Sequence, residues 1–199
     1  MLLPYFEAGR KEAGCDEVGR GCLCGPVVAA AVILQPSYAN ELINDSKKLS
    51  RKNRMGLVKE IEENAICWAL GSADAAEIDR INILNASFLA MNRAISQLVV
   101  KPDHLLIDGN RFNTQLDIPF DCIIKGDGKY ASIAAASILA KVYRDELMAK
   151  LAGQYPGYGW KNNAGYPTKK HREGIERYGP TPIHRKSFRL LPDQLKLKY

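Results

Sequence analysis

Apolar positions in this chain fall into two kinds of stretch. Some are short, β-branched runs bounded by glycine or proline. Others are longer segments with apolar residues three and four apart. Glu12 to Val18 reads as a first strand, and Pro26 to Leu34, with the unbroken run Val27-Val28-Ala29-Ala30-Ala31-Val32-Ile33-Leu34, reads as a buried second one. Gly19 to Gly25 between them is tight and holds three glycines, which suits an antiparallel hairpin. Ser50 is placed to cap a helix from Arg51 to about Asn64, with Met55, Val58 and Ile61 on one face. Ala65 to Ala73 reads as a third strand. Ile83 to Leu98 reads as a helix, with Leu84, Phe88, Met91 and Ile95 at helical spacing.

After Lys101-Pro102-Asp103, the segment His104 to Asp108 is a short strand ending in the turn signal Asp108-Gly109-Asn110. Ile118 to Ile124 is a fifth strand, broken by Lys125-Gly126-Asp127-Gly128. A long helix is expected from about Tyr130 to Leu151, its core stripe running through Ile133, Ala136, Ala140, Tyr143, Leu147 and Leu151. Beyond it the composition turns to Gly, Pro, Tyr, Lys and Arg. We expect residues 1–152 to form a core, and 153–199 to be an extension packed on it, with one short helix at about Thr168 to Tyr178. Together these elements predict one α/β domain, a mixed five-stranded sheet flanked by helices. No internal repeat or low-complexity tract interrupts it.

Composition narrows the setting more than the function. A chain of 199 residues suits one domain. The formal charge of +6 and pI near 9.0 are compatible with a polyanionic partner without establishing one. The five cysteines, Cys15, Cys22, Cys24, Cys67 and Cys122, form no CxxC pair and no zinc spacing, so reduced thiols in a cytoplasmic protein are expected. The first ten residues do not read as a signal peptide. The longest apolar run, near Val27 to Leu34, is too short to span a bilayer.

The candidate chemistry lies in four acids placed by the strand pattern. Asp16 and Glu17 end the first strand, Asp108 ends the fourth, and Asp127 precedes the long helix. Strand ends meet at one edge of a sheet, so acids distant in sequence can converge there. Carboxylate oxygens suit hard divalent ions, and phosphodiester hydrolysis by two such ions needs this kind of cluster. Beside the first pair, Gly19-Arg20-Gly21 lets backbone amides approach a phosphate or sugar. Each acid also has a structural reading. Neighbours on a regular strand face opposite ways, Asp108 is a good turn former, and Asp127 suits a helix cap or helix dipole. Asp145, within the long helix, ranks behind Asp127 because it is placed for an ion pair.

In combination these motifs resemble the type 2 ribonuclease H (ribonuclease HII) family. The resemblance rests on Asp16-Glu17-Val18-Gly19-Arg20-Gly21 with Gly25-Pro26-Val27, on Asp45-Ser46-Lys47-Lys48-Leu49, and on Ile107-Asp108-Gly109-Asn110. It continues through Lys125-Gly126-Asp127 with Ser132 to Val142, Gly165-Tyr166-Pro167-Thr168-Lys169-Lys170-His171, and His184-Arg185-Lys186-Ser187-Phe188. The matches come in family order from Gly14 to Phe188. Arg20 between two glycines, and the short lead before the first strand, favour type 2 over type 3. Val18 stands where the family usually has Ala, and Cys22 and Cys24 stand where Pro and Ala are expected. A Cys22–Cys24 disulfide is an alternative to free thiols there.

The resemblance implies a ribonuclease H-like fold with a helical C-terminal extension. It also implies a Mg²⁺- or Mn²⁺-dependent endonuclease that cuts the RNA strand of RNA/DNA hybrids and cuts 5′ to single ribonucleotides in duplex DNA. That activity would serve ribonucleotide removal and primer RNA degradation. On it, Asp16, Glu17, Asp108 and Asp127 are the metal and catalytic acids. Gly19, Arg20 and Gly21 sense the ribose, Lys47 and Lys48 contact phosphates, and Tyr166 packs on the sugar next to the ribonucleotide. The basic C-terminal region, with Lys169, Lys170, His171, His184 and Arg185, is expected to widen the duplex footprint, His171 and His184 having structural hydrogen bonding as their alternative. A cytoplasmic monomer is expected, and Leu190 to Tyr199 shows no recognisable docking motif for a replication clamp. Two other readings compete: a different metal nuclease or recombinase on the same fold, and a basic nucleic-acid-binding module without catalysis.

Overall fold

The computed structural model describes residues 2–38, 40–43 and 51–192. The strands are β1 (Glu12–Val18), β2 (Val27–Leu34), β3 (Ala65–Ala73), β4 (His104–Asp108) and β5 (Phe120–Ile123). The helices are α1 (Arg51–Asn64), α2 (Ala75–Ser96), α3 (Ala131–Gln154), α4 (Trp160–Asn163) and α5 (Lys169–Tyr178). The strands form one mixed sheet in the order β3-β2-β1-β4-β5. β1 and β2 pair antiparallel as the expected hairpin, β3 extends it antiparallel, and β4 and β5 add in parallel on the other side of β1.

The sheet is covered on both faces. Along β1 and β2 alternate residues divide cleanly: Ala13, Cys15, Val27, Ala29, Ala31 and Ile33 pack toward α2. Val28, Ala30, Val32 and Leu34 pack toward α1 and α3. This two-sided burial is why β2 reads as a continuous apolar run rather than an alternating one. Gly14, on the α3 side of β1, is where the backbones meet: a Cβ there would lie 2.2 Å from the Ser132 carbonyl carbon. Its smallness lets the start of α3 lie directly on β1, and so brings the helix to the end of the strand that carries Asp16.

Three details depart from the expected pattern. In α1, Leu57 and Ile61 are buried, whereas Met55 is 46% exposed. In α3 the buried line after Ala140 runs through Arg144 and Met148, and Tyr143 points to solvent. α2 begins at Ala75 rather than Ile83. Its first turns are capped by Asp74, with Glu77 completing a reciprocal capping box. At Asn82 the backbone leaves helical geometry, with φ 66°. Asn82 Oδ1 accepts from the amides of Leu84 and Asn85, so the side chain caps the second half afresh, one residue before the start that the sequence places at Ile83.

Residues 155–192 wrap the hairpin loop between β1 and β2. Leu23, Cys24 and Met148 share a small core with Tyr158, Trp160, Ile175 and Leu190. Cys24 also bridges His184 in antiparallel fashion.

Candidate active site

The parallel pairing of β1 with β4 runs to Cys15 opposite Ile107. The next residue on each strand is an acid, Asp16 and Asp108, so the two carboxylates leave the sheet at the same level. Asp108 Oδ1 accepts from the Gly126 amide at 2.6 Å. That bond pulls the short 3₁₀ turn Gly126–Gly128, and with it Asp127, toward the end of β4. Asp127 does not cap α3, because the capping position belongs to Tyr130. Asp16, Glu17, Asp108 and Asp127 all line one cavity of about 480 Å³, together with Arg54, Lys125, Ser137, Lys141 and Tyr166. The opposed-face objection to Asp16 and Glu17 fails because the strand ends one residue later and Gly19 turns the chain with φ 95°.

The electrostatics of the cluster are adverse. Burial pushes Asp16 well above the usual carboxylate range, and the charges of Glu17 and Asp108 add to the effect. A hydrogen bond from Ser137 and one from the Glu17 amide, at 2.7 Å, work the other way. Burial also raises Glu17, opposed chiefly by Arg20, whose Nη1 donates to Glu17 Oε1 at 3.0 Å. Cys15 behind them is held as a thiol by burial, and by Asp16 and Glu17. A set of hard oxygen donors that repel one another in a half-dry pocket fits a divalent cation such as Mg²⁺ or Mn²⁺. Asp145 is not among the residues that line this cavity, and it pairs with Lys141 at 2.8 Å.

The Gly19-Arg20-Gly21 loop is held from beneath by two arginines, Arg144 and Arg185, whose residues are 0% exposed. Arg185 donates through Nη1 to the Arg20 carbonyl at 2.9 Å, and through Nε and Nη2 to the Gly25 carbonyl. In a trans peptide the N–H points opposite the C=O. With the Arg20 carbonyl turned down onto Arg185, the Gly21 amide is directed the other way, away from the protein core. Tyr166, 37% exposed, lines the same cavity as the acids, and Lys141 Nζ lies 5.6 Å from its ring centroid. An adjoining cavity of about 340 Å³ is lined by Arg54, Lys141, Asp145, Lys161, Asn162, Asn163, Ala164 and Tyr166.

Other expected contacts are rearranged. His171, His184 and Arg185 are buried and cannot touch a duplex, whereas Lys169 and Lys170 are exposed. Lys47 and Lys48 lie outside the described residues, as do Ser50 and the tail from 193. All five cysteines are free, so Cys22 and Cys24 form no disulfide. Cys24, His171 and His184 place ligand atoms within 4.8 Å of one another, yet the ring nitrogens are committed to hydrogen bonds. Trp160 Nε1–H donates to His171 Nε2 at 2.9 Å, and His171 Nδ1–H donates to the Tyr166 carbonyl at 3.0 Å. The Thr181 amide donates to His184 Nδ1 at 2.8 Å, which leaves His184 Nε2–H to donate to His171 Nε2 at 3.2 Å. With both rings neutral, the single lone pair of His171 Nε2 is shared between the Trp160 and His184 donors. The cluster is a tie between the C-terminal segment and the Tyr166 turn, not a vacant metal site.

The family model for ribonuclease HII matches residues 13–191. A protein of Parabacteroides distasonis named ribonuclease HII is 63% identical over 199 residues, with all of both chains covered. Among solved structures, the ribonuclease H2 of Pyrococcus horikoshii OT3 superposes with a TM-score of 0.75 at 26% identity, covering 90% of this chain and 94% of that one. The structure described as the PCNA:RNase HII complex from Archaeoglobus fulgidus gives a TM-score of 0.73 at 25% identity, covering 88% and 92%. The expected fold, a ribonuclease H-like mixed sheet flanked by helices, is therefore the one found, and the chain belongs to the ribonuclease HII family of metal-dependent endonucleases.

Proposed function

We propose that the chain hydrolyses the RNA strand of RNA/DNA hybrids and cuts 5′ to single ribonucleotides embedded in duplex DNA, leaving 5′-phosphate and 3′-hydroxyl ends. The observation that carries this reading is the meeting of two devices in one cavity, whose lining holds both the acids Asp16, Glu17, Asp108 and Asp127 and the Tyr166 side chain. Two Mg²⁺ or Mn²⁺ ions held by those four carboxylates would supply an activated water and offset charge on the phosphoryl oxygens and leaving group.

The protein's own groups do the selecting. The Gly21 amide, turned outward by the hold of Arg185 on the Arg20 carbonyl, is a donor for a ribose 2′-hydroxyl, the group that distinguishes RNA from DNA. Arg20, whose side chain is 51% exposed and bridged to Glu17, is the donor fork that an arriving phosphate competes for. The Tyr166 ring offers an apolar face to the neighbouring sugar, where a deoxyribose fits and a 2′-hydroxyl intrudes. Lys141 and Lys161 line the adjoining cavity and suit backbone phosphates, as Lys47 and Lys48 do in this reading. In this reading the protein works as a cytoplasmic monomer. Among the described residues no helix is long and apolar enough to cross a membrane.

The test is a DNA duplex carrying one ribonucleotide, incubated with Mg²⁺ and then with chelator. Cleavage 5′ to the ribonucleotide that stops on chelation is expected, and Asp108→Asn should bind the duplex without cutting it. Cutting that survives chelation, or that survives Asp108→Asn, overturns the reading. Binding without metal-dependent cutting points instead to a non-catalytic module.

A further inference from the structure

Arg144 is a fully buried cation whose guanidinium donates to three main-chain carbonyls. Nε donates to the Pro26 carbonyl at 2.8 Å and Nη2 to the Cys24 carbonyl at 3.1 Å, both in the segment that closes the β1–β2 hairpin. Nη1 reaches across to the Ala164 carbonyl at 2.8 Å. Ala164 is the residue where α4 ends, in a left-handed conformation with φ 47° that a side chain adopts at a cost. Two residues on is Tyr166. One guanidinium therefore bonds the Cys24–Pro26 end of the hairpin loop and the turn that carries the tyrosine, and it packs under Gly19 at the start of the stretch assigned to the ribose.

The surroundings are built to the same end. The Leu23 amide donates to the Gly165 carbonyl at 2.8 Å, and Cys22 Sγ lies 3.7 Å from the Ala164 carbonyl. Gly19 packs so closely on Arg144 that a Cβ would sit 2.2 Å from its Nε. The small thiols at Cys22 and Cys24, both 0% exposed, fill the seam between the two segments. Burying a cation without an opposite charge is expensive, and a hydrophobic side chain of similar volume would avoid that expense. What an apolar residue cannot do is hold three carbonyls from two chain segments at fixed separation. A planar fork can, and a lysine, with its single charged nitrogen, cannot hold all three in the same geometry.

We propose that Arg144 is a positioning residue for substrate discrimination: it fixes the spacing between the Gly19–Gly21 loop and the Tyr166 turn, and so sets the preference between an embedded ribonucleotide and a continuous RNA strand. This rests on the sugar-reading roles given above to those two segments. It predicts that Arg144 acts through Tyr166 rather than on the reacting phosphate.

The experiment compares kcat/KM on a single-ribonucleotide duplex and on a continuous RNA/DNA hybrid, for the native chain, Tyr166→Ala, Arg144→Lys and the double variant. Arg144→Lys is expected to move the ratio of the two values roughly tenfold in the direction that Tyr166→Ala moves it. In the Tyr166→Ala background the same substitution should change the ratio less than about twofold, because the group it positions is gone. If Tyr166→Ala shifts the ratio and Arg144→Lys lowers both substrates equally, the inference is overturned and the sugar-reading roles stand. If Tyr166→Ala leaves the ratio unchanged, the junction-reading role falls and takes the inference with it. Should Arg144→Lys lack a cooperative melt, Arg144→Gln is measured in its place. Its amide can still donate to one segment but not to both, and the same shift in ratio is expected, with an equal loss on both substrates again the overturning result.

Discussion

Asp16 is 6% exposed, and this burial pushes its proton affinity up, with the charges of Glu17 and Asp108 in the same cavity adding to it. A side chain selected for stability alone would not be a carboxylate there. Asp16→Asn keeps an Oδ1 to accept the Glu17 amide and removes one of the repelling charges. In chelator the variant is expected to melt above the native chain, by about 1 kcal/mol or roughly 2–4 °C, while cleavage is nearly abolished. Adding Mg²⁺ should raise the native melting temperature and move that of the variant much less. A native-like Mg²⁺ response in Asp16→Asn would remove Asp16 from the metal set. The acids were legible in the sequence because strand ends are legible, and the end of a strand says which residues gather at a sheet edge. The buried arginines were not. Charged side chains are exposed by default, so nothing in the sequence marks Arg144 and Arg185 as buried, whereas His171 and His184 carry structural hydrogen bonding as an alternative and adopt it. Arg144 hid further, because the apolar spacing offered Tyr143 for the core and the helix presents the next residue instead.

Elements were readable where one rule governed them. The bounds of β1, β3, β4 and α1 agree with the pattern of runs and turns. The first turns of α2 were missed although Asp74-Ala75-Ala76-Glu77 carries the capping-box spacing, because apolar periodicity begins only after the break at Asn82. α4 spans Trp160–Asn163 alone, too short for any periodicity to register. Its value lies in what it presents: Trp160 donates into the His171–His184 tie that joins α5 and the Tyr166 turn to the C-terminal segment. Burial lowers His184 to about 4, with the neighbouring His171 adding to it, and burial lowers His171 as well. Both rings are neutral in the fold and take up protons more readily once unfolded. Stability contributed by this tie is therefore complete above pH 6.5 and falls as pH drops toward 4, by about 3 kcal/mol at most for His184. Urea unfolding at pH 7 and at pH 4.5 would measure it. Asp16 and Glu17, with affinities raised chiefly by burial, work in the opposite sense. The quantity to read is thus the difference between the native chain and His184→Asn, in which the acid-side loss should be smaller. Equal losses in both would show that His184 is not the group responsible.

At the scale of the whole molecule, the segment after Leu151, which the composition sets apart as an extension packed on the core, supplies partners to the β1–β2 hairpin loop. Arg185 reaches Gly25 and Arg20 across 160 and 165 residues of chain, and Arg172 donates to the Leu190 carbonyl beside them. The Leu23 amide and the Gly25 amide find their acceptors at Gly165 and Ile183. Without residues 153 onward the hairpin loop between β1 and β2 would lose the partners of its own backbone, and unpaired buried carbonyls and amides are costly. The active-site loop and the C-terminal segment should therefore fold as one unit with the sheet. The sequence supplies its own reporters, since its two tryptophans divide between the parts: Trp68 on β3 and Trp160 on α4. In Trp68→Phe, fluorescence reports on the C-terminal segment alone, while far-UV circular dichroism reports mainly on the sheet and the long helices. One shared midpoint in urea by both probes is expected. A Trp160 transition well ahead of the circular dichroism transition would mean that the segment opens independently. Tyr166 would then be brought to the cavity by a docking step rather than held there by the fold.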